Sequence, residues 1–324
     1  MPLAIRIEEL TKDYAVGFWR KRPYRALDRL SLSIETGEVF GFLGPNGAGK
    51  TTTLKLLMQL IFPTSGRAEI LGSPVGNVAM RRRIGYLPEN PTFYDYLTAE
   101  ELLEYFARLF GIGAADRKKR VSGILDRVGI AGERRLQLRK FSKGMIQRVG
   151  IAQALINDPE VIFLDEPMSG LDPLGRRDVR TLILELRDQG RTVFFSSHIL
   201  ADAEALCSRV AVVAGGQLAA SGKLTDILAF EIRGWEVVLA DMNAELLARV
   251  SDLAKRTTEI GHGRYAFELS IEQSPERLAA ELTSRGAKLL SINPIRDTLE
   301  DFFVRRVQQM GAGARSGENT RARD

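Results

Sequence analysis

The run Gly44-Pro45-Asn46-Gly47-Ala48-Gly49-Lys50-Thr51 constrains this chain more than any other. A strand-like segment from Glu38 to Leu43 precedes it and a helical pattern from Lys50 to about Ile61 follows, so strand, glycine-rich turn and helix come in that order. Such a turn is a phosphate cradle. Glycines let backbone N–H groups converge on phosphate oxygens, and the helix start adds the positive end of its dipole. Lys50 is then placed to reach β- and γ-phosphates, and the Thr51 hydroxyl to meet Mg²⁺. Four fixed positions coincide by chance in roughly one chain in a hundred of this length, so the flanks matter. Leu54, Leu57, Met58 and Ile61 recur at helical spacing to give one buried face, and Pro63 ends the pattern.

Length and charge bound the rest. At 324 residues the chain accommodates one large and one small domain. Its 46 basic and 41 acidic residues leave a formal charge of +5. The basic clusters at Arg20–Arg22, Arg81–Arg83, Lys118–Arg120 and Arg134–Arg135 are scattered, which favours solvated surface over a nucleic-acid footprint. The longest apolar runs fall short of the roughly 18 residues that cross a bilayer. Met1 to Tyr14, with Glu8, Glu9 and Asp13, is not expected to be a secretory signal. The single cysteine, Cys207, excludes an internal disulfide and is expected in the core.

In chain order, Ile5/Ile7 and Leu30/Leu32/Ile34 alternate on either side of a segment holding Phe18 and Trp19, which predicts an antiparallel hairpin with a long, decorated turn. Tyr14 lies about thirty residues before the phosphate loop, where a flat ring could stack on a purine; Phe18, Trp19 and Tyr24 compete for that role. Short strands are expected at Ala68–Leu71 and Arg83–Leu87, the second ending in Pro88-Glu89-Asn90-Pro91. Thr98 with Glu101 signals a capped helix to Gly111, and a second helix is expected from about Arg117 to Val128. These helices read as a lobe inserted into a strand-rich domain. Phe141-Ser142-Lys143-Gly144-Met145 opens another helix, with Ser142 as cap. That is either an ordinary capped helix or a second anion-binding helix start.

Val161-Ile162-Phe163-Leu164-Asp165-Glu166-Pro167 is a buried strand ending in two carboxylates. Beside a phosphate loop the first carboxylate can hold Mg²⁺ through water and the second can orient an attacking water. Ser169-Gly170-Leu171-Asp172-Pro173 is turn chemistry, Arg177–Arg187 is helical, and Thr192–Ser197 is a buried strand that delivers His198 to its carboxyl end. In an open α/β sheet that end faces the crevice where ligands bind. Arg209–Ala214 and Gln217–Ala220, joined at Gly215-Gly216, close the first domain near Gly222.

From about Ile5 to Lys223 these motifs, in this order, resemble the ATP-binding subunit of ABC transporters. The resemblance implies a P-loop α/β ATPase with an antiparallel β subdomain and an inserted helical lobe. It identifies Gly44, Pro45, Asn46, Gly47, Ala48, Gly49, Lys50, Thr51 and Thr52 with the Walker A loop and its helix start, and Val161–Glu166 with Walker B. Phe141–Met145 corresponds to the family signature, Ser169–Asp172 to the D-loop, His198 to the switch histidine and Tyr14 to the adenine-stacking aromatic. It implies ATP and Mg²⁺ as ligands, the metal near Thr51, Asp165 and Glu89. Two copies are implied to sandwich two ATP head to tail, each site borrowing Ser142 and Gly144 from the other chain, with Asp172 of the D-loop among the nucleotide-binding residues. A separate membrane permease is the implied partner, at the cytoplasmic face of the cell membrane, with transport outward; no nucleic acid is expected. The alternative is a soluble ATPase of the same type acting on ribosomes or nucleic acid. Two departures from the family pattern stand out: Glu89 replaces the usual glutamine, and Lys143 and Met145 alter the signature, commonly Leu-Ser-Gly-Gly-Gln. The acid adds negative charge beside phosphate and metal.

From Trp235 the pattern becomes strand, helix, strand pair, helix, strand and helix (Asp297–Val307), the split βαβ order of a ferredoxin-like α+β domain. The expected organisation is an ATP-binding domain at 1–224 with its lobe at about 93–150, an accessory domain at 225–310 and a disordered tail at 311–324. His262, between two glycines, reads as a turn residue.

Overall fold

The computed structural model describes residues 2–17, 21–227, 232–261 and 263–296. They divide into two compact units, one running to Leu224 and one beginning at Thr225. The first contains β1 (Leu3–Val16), β2 (Arg22–Glu35), β3 (Val39–Leu43), α1 (Lys50–Leu57), β4 (Ser65–Ile70), β5 (Ser73–Pro74), α2 (Val78–Arg81), β6 (Ile84–Leu87), α3 (Ala99–Leu109), α4 (Ala114–Arg127), α5 (Lys143–Leu155), β7 (Val161–Asp165), α6 (Pro173–Asp188), β8 (Thr192–Ser197), α7 (Leu200–Leu206), β9 (Arg209–Ala214) and β10 (Gln217–Lys223). A short helix, α8 (Leu224–Ile227), follows.

The central sheet has the order β10-β9-β3-β8-β7-β6, parallel except for the β9–β10 hairpin. Strands covered on both faces must be apolar throughout, and every residue of β3, β7 and β8 is buried. On one face Phe194 meets Phe42 and Phe163 at centroid separations of 5.3 and 5.7 Å. These rings share a core with Leu54 and Leu57 of α1 and with Ile5, Ile7, Leu30 and Ile34 of the antiparallel sheet β2-β1-β4-β5. On the other face α7 packs so close to β3 that a Cβ on Gly41 would stand 2.8 Å from Cys207 Sγ. Cys207 is buried as expected, and burial pushes its thiol well above the usual range.

The hairpin forms, but its strands extend further than alternation suggests. Pairing continues through Tyr14 opposite Tyr24 to Val16 opposite Arg22. Three register shifts between Ile7 and Asp13 absorb what reads in sequence as a break in alternation. Helix α1 also departs from its pattern, stopping at Leu57 rather than Ile61. Gln59 takes a positive φ of 54°, and the Leu60 N–H returns to the Lys55 carbonyl at 2.9 Å. That is a left-handed helix stop made without glycine. Met58 and Ile61 still pack against the core from the turn.

The lobe holds α3, α4 and α5, which pack on one another. Thr98 and Glu101 form a reciprocal capping box on α3, and Ser142 caps α5 by accepting the Met145 N–H at 3.3 Å. Helix α4 starts a turn earlier than expected, at Ala114, and α6 begins at Pro173 rather than Arg177, capped by Asp172.

The second unit carries β11 (Ile232–Ala240), α9 (Ala244–Ser251), β12 (Arg256–Gly261), β13 (Arg264–Ser270), α10 (Pro275–Ser284) and β14 (Lys288–Arg296). Its antiparallel sheet has the order β12-β13-β11-β14, the ferredoxin-like arrangement expected. Val237, Leu239, Phe267 and Leu269 form its core with Leu246 and Val250 of α9 and Leu282 of α10. Phe18, Trp19, His262, the helix expected at Asp297–Val307 and the tail at 311–324 lie outside the described residues.

Candidate functional site

The loop from Gly44 to Gly49 leaves the carboxyl end of β3 and starts α1. Its neighbours leave no room for side chains at two of its glycines. A Cβ on Gly44 would lie 2.4 Å from the Val213 carbonyl oxygen, and one on Gly49, at φ +106°, 2.7 Å from the Ala26 carbonyl oxygen. The loop is knitted to its surroundings by backbone bonds: Gly216 donates to the Ala48 carbonyl at 3.1 Å, and Asp28 to the Gly216 carbonyl at 2.8 Å. Gly49 sits at the N-cap of α1 with no side-chain cap. A helix start left open in this way is a place for an anion.

Lys50 is 6% exposed. Its ammonium donates to the carbonyls of Gly44 (2.8 Å) and Pro45 (3.3 Å) and pairs with Glu166 Oε1 at 3.3 Å. Glu166 Oε2 in turn meets His198 Nδ1 at 2.8 Å. One cation, one buried carboxylate and one imidazole therefore form a continuous chain. Glu166 holds a left-handed φ of 50° where β7 ends, a conformation that costs energy in a non-glycine residue. Ser196 on the neighbouring strand supports it: its Oγ accepts the Glu166 N–H at 3.1 Å and donates to Asp165 Oδ1 at 2.6 Å.

Asp165 is fully buried. Burial raises its carboxyl above the usual range; hydrogen bonds from Ser196 and Thr51 and the charge of Lys50 oppose the rise, and the charge of Glu89 adds to it. Its second oxygen, Oδ2, is buried with no hydrogen-bond partner. A buried carboxylate oxygen left open beside a threonine hydroxyl fits a divalent cation, since hard cations take oxygen donors. Among the described residues no three His, Cys, Asp or Glu side chains converge as a metal cage. A cation here would thus draw most of its ligands from phosphate and water.

A cleft of about 520 Å³ opens at this place. Of the residues singled out in the sequence it is lined by Tyr14, Asn46, Gly47, Gly49, Lys50, Thr51, Thr52, Glu89, Glu166 and His198. Gly44, Pro45 and Ala48 shape the loop from behind, and Asp165 stands beneath it. Ser142, Gly144 and Asp172 do not line the cleft. Tyr24, which competes with Tyr14 for the purine, and Ser169, at the start of the D-loop segment, line it too, and Ala26 lines it in addition. A somewhat larger cleft, about 600 Å³, lies between Asp126–Gly129 and α6. Two of its three arginines, Arg127 and Arg148, are paired with Glu185 and Asp178, and although Arg177 also lines it, it holds neither a glycine loop nor an open helix start. The smaller cleft is the one equipped for phosphate.

Residues 27–169 match the family described as ABC transporter. The chain is 48% identical, over 94% of its length and 84% of the other's, to an uncharacterized ABC transporter ATP-binding protein of Synechocystis. It is 35% identical to the bacitracin transport ATP-binding protein of Bacillus licheniformis, with 94% and 97% covered. Nod factor export ATP-binding protein I of Cupriavidus metallidurans is 34% identical, with 86% and 91% covered. Among solved structures, a dimeric ATP-binding cassette in a post-hydrolysis state bound to ADP and Pi matches with a TM-score of 0.63 at 27% identity, covering 68% of this chain and 98% of that one. None of these relatives is described as acting on ribosomes or nucleic acid.

Proposed function

Because the chain belongs to the ABC transporter ATP-binding proteins, we propose that it hydrolyses ATP in the cleft described above to drive export through a separate membrane permease. The observation that carries this reading is the Lys50–Glu166–His198 chain beside the uncapped start of α1. The β- and γ-phosphates of ATP accept from the loop N–H groups and attract the Lys50 ammonium. They compete with Glu166 for that ammonium, and the carboxylate so released orients a water and takes its proton as it attacks the γ-phosphorus, while the bond to the β–γ bridging oxygen breaks and ADP leaves. His198 steadies Glu166 and faces the γ-phosphate. Thr51 and Asp165 would hold Mg²⁺, which would supply charge neutralisation at the phosphate oxygens. Tyr14, paired across the hairpin with Tyr24 and touched by the Lys12 ammonium at 5.2 Å, offers its ring to the base.

Ser142 and Gly144 lie outside the cleft in their own chain, and the related cassette is a dimer. Both facts support a head-to-tail homodimer in which each chain completes the other's site. The chain would work at the cytoplasmic face of the cell membrane. Among the described residues no helix is long and apolar enough to cross a bilayer, so the path belongs to the permease. Export draws on the similarity to a Nod factor export protein.

Glu166→Gln tests the site. It should bind ATP as wild type does and lose hydrolysis by about 10³-fold; turnover near wild type would remove the assignment of Glu166. Mixing Ser142→Ala with Lys50→Ala chains tests the shared site. Recovery of a fraction of the activity supports it, and none at any mixing ratio counts against it.

A further inference from the structure

The charges around the cleft do not balance. Lys50 is matched to Glu166. Asp165, with one oxygen lacking a partner, and Glu89 remain. Glu89 is exposed on the cleft wall, and no hydrogen bond or ion pair ties it to a described residue. His198 already engages Glu166 through Nδ1. Glu89 therefore faces the space in which a triphosphate lies, with Asp165 buried beneath it, and Lys50, the one lysine or arginine among the described residues lining the cleft, is already shared between Glu166 and Asp165.

A free nucleoside triphosphate carries about four negative charges near neutral pH, and its complex with a divalent cation about half as many. Building on the reading of this cleft as the ATP site, we propose that Glu89 makes it select the divalent-cation complex of the nucleotide and reject the free nucleotide. The selection is electrostatic and does not require coordination. Among the described residues no three His, Cys, Asp or Glu side chains converge as a cage, so Glu89 acts by its field on the phosphates. Unit charges several ångströms apart in a partly solvated cleft give a discrimination of about tenfold. Coupling between two ligands is reciprocal, so the nucleotide must also tighten the cation by the same factor.

The test is equilibrium binding to the full chain, read by calorimetry, with AMP-PNP as probe, once with excess Mg²⁺ and once with EDTA. The wild type should prefer the Mg²⁺ complex about tenfold more strongly than Glu89→Gln does, the variant gaining mainly in its affinity for the free nucleotide. Glu89→Asp keeps the charge and should keep the wild-type preference. An unchanged preference in Glu89→Gln would overturn the proposal, leaving Glu89 a solvated surface acid. A variant that loses affinity for the Mg²⁺ complex alone would overturn it too, by showing direct ligation. If the wild type binds AMP-PNP under neither condition, the ATP reading of the cleft fails as well.

Discussion

In the unit that runs to Leu224, Lys50, Asp165, Glu166 and Asp202 are almost wholly withdrawn from solvent, whereas in the unit that begins at Thr225 the buried side chains among the described residues are all apolar. Burying charge opposes folding unless partners and hydrogen bonds offset it. The first unit meets that cost with specific arrangements: the Lys50–Glu166 pair, the Ser196 clamp and the Arg180–Asp202 ion pair. The second has Val237, Leu239, Phe267 and Leu269 packed against two helices and needs none of this. Perturbed, buried ionisable groups mark chemistry more often than architecture, and on that criterion the first unit is the reactive one.

Mutation can break or sharpen this contrast. The largest effect is expected from Lys50→Ala, which leaves Glu166 buried beside an empty position and removes the phosphate's cation. ATP binding should weaken and hydrolysis fall by 10³-fold or more, about 4 kcal/mol in the barrier. A stopped-enzyme phosphate assay reads it, and near-normal turnover would break the contrast. Phe267→Ala in the second unit should cost about 3 to 4 kcal/mol of that unit's stability in urea melts and leave ATP affinity unaltered. An equal loss of ATP affinity would mean that the two units do not differ in role.

Asp165→Asn should shift the melting temperature upward by a few degrees while abolishing hydrolysis. The Asp165 carboxyl titrates above its ordinary value because of burial. The ionised form therefore costs stability at neutral pH, and that cost disappears as pH falls below the ordinary carboxylate range. A neutral amide removes it, and calorimetry at pH 7 checks the sign. The smallest effect belongs to Arg83→Ala. Arg83 holds Glu160 below the usual range through hydrogen bonds at 2.5 and 2.7 Å, but both side chains are about half exposed. The loss should be under about 1 kcal/mol. It should be present above the ordinary glutamate value and fade as pH falls through the lowered one.

Much of the first unit was legible because its motifs require particular residues. Gly44 and Gly49 admit no Cβ, and Thr98 and Ser142 announce the helices they cap. The second unit carries no chemical motif, yet its order of strands and helices along the chain is legible from alternation and helical spacing, and that order matches the split βαβ arrangement. What escaped has physical reasons. Ser196 is one of three hydroxyl residues in a strand read as core, and nothing in the sequence shows that it bonds the Asp165 carboxylate and the Glu166 N–H at the end of the next strand. Helix α7, seven residues long and without a side-chain cap, lacks both length and start signal. The stop of α1 was misplaced because Gln59, not glycine, adopts the left-handed turn. Tyr24, a rival of Tyr14 in the sequence, stands opposite it through a hairpin register set by bulges, and alternation alone does not reveal that both rings line the cleft.

The bonds between the phosphate loop and its surroundings carry one more implication. Gly49 and Gly216 both crowd the Ala26 carbonyl on β2, and Gly216 also grips Ala48. The outer hairpin is thus geared to the catalytic turn through two peptide contacts, with no side chain in between. A slip of β2 by a single step would misalign the turn while the aromatic interior stayed intact, and the protein would fall silent long before it came apart.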